Sequence, residues 1–112
     1  MRRLAIVAVL LLSACASDAE PAAQELLAND GRAIAEAQCA GCHAIGEFGE
    51  SPNPDAPVFR TVLSRYRADV LEEELINGIR VSHPMPDFQF NPQGADALIA
   101  YLRSVQQPAA AN

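Results

Sequence analysis

Cys39-Ala40-Gly41-Cys42-His43 is the stretch on which the reading of this chain turns. Two cysteines at this spacing, one helical turn apart, can add their thiols across the two vinyl groups of a haem. The histidine that follows at once can turn its imidazole beneath the iron. This is the pattern of c-type haem attachment, and it assigns Cys39 and Cys42 to thioether bonds and His43 to an axial position. Other chemistries also use paired cysteines. A thioredoxin-like dithiol follows a strand in a βαβ setting, whereas the residues before Cys39 read as helix. A zinc site drawing on Cys39, Cys42, His43 and His83 would place two ligands at adjacent positions, a spacing that matches no common zinc site.

Iron in a haem has a second axial position, and what fills it largely sets the function. Met85 stands in Ser82-His83-Pro84-Met85-Pro86, between prolines that stiffen the chain and keep it out of a helix. A thioether held in a rigid loop gives up less disorder when it forms a weak bond to metal. The only other methionine is Met1, so Met85 is the expected second ligand. The alternatives are Met85 as an apolar gap-filler and His83 as the ligand.

The totals agree with a small cofactor protein. A chain of 112 residues has room for one domain, and one that small gains from a staple, metal or cofactor. Net charge is -6 with 5% aromatic residues and no lysine, so neither a basic stripe nor a stacking platform is present and nucleic acid is not an expected partner. The acidity favours solubility and basic docking surfaces on a partner.

The first residues read as an export signal. Met1-Arg2-Arg3 is a basic tip, and the apolar run from Leu4 to Leu12 is too short to span a bilayer. Leu12-Ser13-Ala14-Cys15 resembles the lipobox of bacterial lipoproteins, which implies a signal peptide over 1–14, a lipidated Cys15 and a tether over 15–28. The other reading is an ordinary signal peptide cut after Ala19, with Cys15 inside it. Either way the domain, expected over 29–107 with a tail over 108–112, works in the periplasm or cell envelope. Acyl chains on Cys15 would tie it to a membrane.

Helical signals fill the remainder. Asn29 or Asp30 is the expected cap of a first helix ending near Gln38, with Ala33, Ile34 and Ala37 on its apolar side. Residues 46–57 hold two glycines and three prolines and must form a loop. Asp69-Val70-Leu71-Glu72 reads as a capping box for a short middle helix that Gly78 ends. Asn91-Pro92 starts a last helix in which Leu98, Ile99, Leu102 and Val105 recur at helical spacing until about Gln106. No convincing alternation appears, so the fold is expected to be all-α.

With Cys39-Ala40-Gly41-Cys42-His43 and Met85-Pro86 so arranged, residues 31–107 resemble a class I cytochrome c of the small bacterial monohaem kind. The resemblance implies crossed N- and C-terminal helices, a short middle helix and loops around one covalent haem c. It implies one-electron transfer rather than catalysis, between a redox protein donor and acceptor. The alternatives are a haem subunit of an envelope oxidoreductase complex and a small-ligand-binding haem protein. It further implies that Gly31 packs on the last helix at Leu98 and Tyr101, and that a loop proline carbonyl accepts a hydrogen bond from His43, with Pro52 the expected residue and Pro54 the fallback. Many members place an aromatic residue where this chain has Ala35. Arg60, Tyr66, Arg67 and Arg80 are candidates for the haem propionates, and Glu47, Glu50, Asp55, Glu72, Glu73, Glu74 and Asp87 for an acidic docking face.

Overall fold

A computed structural model describes residues 19–80 and 85–108; Cys15 and His83 lie outside them. Helix α1 (Ala19–Gln38) is followed by the 3-10 helix η1 (Phe59–Ser64), α2 (Ala68–Asn77) and α3 (Pro92–Val105). The described residues contain no strand, as the all-α reading expects. Among them no helix is long and apolar enough to cross a membrane.

Helix α1 begins ten residues before Asn29, through residues expected as tether. Ala, Gln, Glu and Leu dominate that segment and are strong helix formers. Pro21 falls in the first turn, where its missing N–H leaves no helical bond unmade. Asn29 and Asp30 therefore sit exposed in mid-helix rather than at a cap. Residues 20–26 are all exposed, and burial starts only where α1 meets the rest of the domain.

The last helix begins as its sequence indicates. Asn91 is the N-cap, its side chain accepts a bond from the Gly94 amide at 2.7 Å, and Pro92 fills the first helical turn. The capping box at Asp69 does not form. Arg67 is the N-cap of α2 and has no side-chain cap bond; Asp69 lies inside the first turn, where its carboxylate takes Arg67 Nε at 3.1 Å and Nη2 at 2.6 Å. That guanidinium holds the Asp69 carboxyl below its ordinary value. Gly78 ends α2 with φ +100°, a conformation that a side chain resists.

The core is built on the crossing of α1 and α3. A Cβ added to Gly31 would fall on the Ala97 carbonyl and come within 2.8 Å of Tyr101 Cβ. The expected contact with Tyr101 is present, but Ala97 takes the place expected for Leu98. Leu98 is instead turned into a cavity, because one helical position rotates a side chain by more than a quarter turn. Ala35 is completely buried, so its small side chain belongs to a closely approached crossing rather than a loosely filled one. Tyr101 also ties α3 to the loop after the motif, donating from its hydroxyl to the Ile45 carbonyl at 2.8 Å.

Gly31→Ala should gain about 1 kcal/mol of helix propensity yet lose more through overpacking, with a net destabilisation of roughly 1–2 kcal/mol; urea unfolding of the purified protein reads the balance. Burial raises the phenol of Tyr101 above its usual value of 10.0. The folded phenol thus holds its proton more tightly than the unfolded one. Its contribution to stability is full below pH 10 and declines as pH rises through the folded value. Tyr101→Phe should cost about 1 kcal/mol near neutrality, and its deficit against wild type should narrow above pH 10.

Candidate functional site

The motif turn continues directly from α1. Cys39 and Ala40 amides donate to the Ala35 carbonyl at 2.9 and 3.0 Å, and the His43 amide donates back to the Cys39 carbonyl at 2.9 Å. This places Cys39 inward, with 6% of its surface exposed, and Cys42 outward. Burial pushes the Cys39 thiol up to about 11, so without a partner it is neutral at physiological pH, unlike the low-pKa thiolate of a reactive dithiol centre.

Cys39, His43 and Met85 line one cavity of about 350 Å³. Phe59 and Val62 of η1, Leu71 and Leu75 of α2, Leu98 and Leu102 of α3 and the pair Phe88 and Phe90 make its walls apolar. The segment carrying Met85 is fastened to the end of α2 by a bond from the Phe90 amide to the Leu75 carbonyl at 3.0 Å. Phe88 and Phe90, two positions apart in extended chain, turn the same way, and their ring centroids lie 6.0 Å apart. Cys42 does not line the cavity.

The histidine is held on two sides. Its Nδ1 lies 2.7 Å from the Pro57 carbonyl oxygen. With Nδ1–H as donor, the ring's lone pair is on Nε2. Phe59 packs its ring 5.2 Å from the imidazole, centroid to centroid. The carbonyl is therefore neither that of Pro52 nor that of Pro54. The Asn53 amide donates to the Cys42 carbonyl at 3.1 Å, and the Ala56 amide to the Asn53 carbonyl at 3.0 Å, so residues 52–55 form an outward turn with both prolines exposed. The chain returns to His43 only at Pro57, where the Phe59 amide locks onto the Ala44 carbonyl at 2.9 Å.

Polar residues collect at the cavity's exposed side. Tyr66, Arg67 and Arg80 border it as the sequence suggests, together with Arg65, which sequence reasoning missed. Arg60 does not, because its guanidinium donates to the Gly49 carbonyl at 2.7 Å. Of the acidic residues considered for docking, only Glu74 lines the cavity, and its carboxylate accepts the Arg80 amide at 3.2 Å.

An apolar cavity bordered by exposed cationic side chains suits a flat macrocycle whose body is hydrocarbon and whose one edge bears two carboxylates. A buried cysteine suits a thioether bond to the macrocycle, and an imidazole with an oriented lone pair and a methionine sulfur suit iron at its centre. The residues present thus fit a haem. The crossed helices, the C-x-x-C-H turn and this cavity define a class I-like cytochrome c domain. Residues 27–102 match the family model described as Cytochrome C oxidase, cbb3-type, subunit III, and the chain belongs to that family. Such a domain binds haem c covalently and serves electron transfer. Searches of curated proteins and of solved structures found no match.

Proposed function

We propose that the chain carries a single haem c, bonded through Cys39 and Cys42, with His43 and Met85 as the two axial ligands of its iron. The observation that carries this reading is that His43 and Met85 line the same apolar cavity as Cys39. When bound, the haem supplies a reversible one-electron couple. His43 would bind the iron through Nε2 while its Nδ1–H donates to the Pro57 carbonyl, which fixes the ring and strengthens it as a donor. Met85 would supply the second protein ligand through its sulfur. The apolar walls keep water from the site and, with histidine and methionine as ligands, favour the reduced state and a high potential. Arg65, Tyr66 and Arg80 would bind the propionates, whereas the Arg67 guanidinium is already engaged by Asp69.

With His43 and Met85 both holding the iron, oxygen, peroxide and other substrates would find no vacant place on it. The protein is then an electron carrier, not an enzyme, in the cell envelope, held to a membrane through a lipidated Cys15 and passing electrons between a redox donor and acceptor by brief contacts. A second reading, favoured by the oxidase subunit that names the matching family, is a haem subunit feeding an attached catalytic complex. Stable co-purification with an oxidoreductase from native membranes would select it.

Intact-mass spectrometry should find the polypeptide plus one haem, and the oxidised protein should show the weak long-wavelength band of sulfur on ferric iron. Met85→Ala should abolish that band and permit carbon monoxide binding at neutral pH. A wild-type protein that lacks the band and binds carbon monoxide readily defeats the proposed ligation. Cys15→Ser should release the domain from membranes with its visible spectrum unchanged; a mature wild-type N-terminus at Ala16 or Glu20 without acyl mass removes the anchor.

A further inference from the structure

The side chain of Gln106, just beyond α3, makes three hydrogen bonds. Its Nε2 donates to the Leu102 carbonyl at 2.8 Å and to the Phe59 carbonyl at 2.7 Å, and its Oε1 accepts the Leu63 amide at 3.1 Å. Phe59 and Leu63 stand four positions apart, so their carbonyl and amide are the pair that would bond directly in an α-helix. The Gln106 carboxamide is inserted between them, acceptor facing the amide and donor facing the carbonyl. An inserted group of this kind holds a helical segment open, and here it fastens η1 to the end of α3.

That segment carries one of the two groups that hold the imidazole and closely follows the other. Phe59 supplies the ring beside His43 and is itself bonded through its amide to Ala44. Pro57, two residues earlier, supplies the carbonyl 2.7 Å from Nδ1. No side chain caps η1, whose N-cap is Val58; besides the backbone bonds of Phe59 to Ala44 and of Gln107 to Arg60, its anchoring comes from the Gln106 carboxamide. We infer that Gln106 is a positioning residue for the axial histidine: its carboxamide, wedged between Phe59 and Leu63, fixes the Pro57 carbonyl on His43 Nδ1 and thereby tunes the iron's potential.

This inference rests on His43 being an iron ligand. A looser Nδ1–H···O bond makes the imidazole a weaker donor and stabilises ferric iron less, so the potential rises. Neighbouring Gln107 supplies the contrast. Its side chain donates to the Glu47 carbonyl at 3.0 Å, on the loop after the motif, while its backbone amide donates to the Arg60 carbonyl of η1 at 2.7 Å, a bond that a side-chain substitution keeps.

The test measures the reduction potential and the exchange of the His43 Nδ1 proton by NMR in the holoprotein. Gln106→Met keeps length without hydrogen bonds, and Gln106→Glu keeps the acceptor while losing the donor. Both should raise the potential and speed exchange about tenfold, the factor matching one lost hydrogen bond of about 1.4 kcal/mol. Gln107→Ala should leave the potential unchanged even where it lowers thermal stability. Unaltered potential and exchange in the Gln106 variants, or an equal shift in Gln107→Ala, overturns the inference. If neither Gln106 variant retains haem, wild-type holoprotein decides: the Gln106 Nε2 protons should exchange as slowly as the Nδ1 proton, and exchange at the solvent rate refutes the role. A wild-type spectrum without histidine-ligated iron would instead refute the ligation reading, which is a separate failure.

Discussion

The approach of α1 to the backbone of α3 is the constraint from which the rest of the site descends. Only a residue without a side chain fits at Gly31 against the Ala97 carbonyl, and Ala35, one turn further, is small enough to be fully enclosed. Because α1 runs straight into the motif turn, the crossing fixes where Cys39 enters the cavity. It also rotates α3 so that Leu98 and Leu102 face inward. A change at the crossing would therefore move the attachment point and one cavity wall together.

The second constraint is the path of the loop after the motif. The Ser51 hydroxyl accepts the Ala44 amide at 3.0 Å, the Asn53 amide bonds the Cys42 carbonyl, and the Phe59 amide bonds the Ala44 carbonyl. These bonds splice the loop back onto the motif at both ends, so a segment rich in glycine and proline is nonetheless well anchored. Its return delivers Pro57 and Phe59 to opposite tasks on one imidazole, polar support at Nδ1 and apolar packing on the ring.

What was legible in the sequence was what is local. The spacing of Cys39, Cys42 and His43 marks the cytochrome c domain, the prolines beside Met85 single out a residue that lines the same cavity as Cys39 and His43, and Asn91-Pro92 with a clear apolar period marks α3. The start of α1 was misread because Asn29 and Asp30 have the chemistry of caps, yet Ala-rich neighbours carry the helix past them. Asp69 failed as a cap because Arg67 competes for its carboxylate. Pro57 was not distinguishable from Pro52 and Pro54, since the choice depends on a turn set by long-range bonds. The 3-10 helix, too short to show a period, and the wedge made by Gln106, 43 positions from Leu63, carry no local signal at all.

Helix α1 is 20 residues long, about 30 Å at the usual rise; residues 20–26 are exposed and its last residue adjoins Cys39. Mechanically it is one rod with an exposed handle and a loaded end. A flexible leash transmits only a limit on distance, but a rod also transmits torque. Whatever grips residues 20–26 therefore steers the compass bearing of the cavity mouth, and so which passers-by meet it face-on.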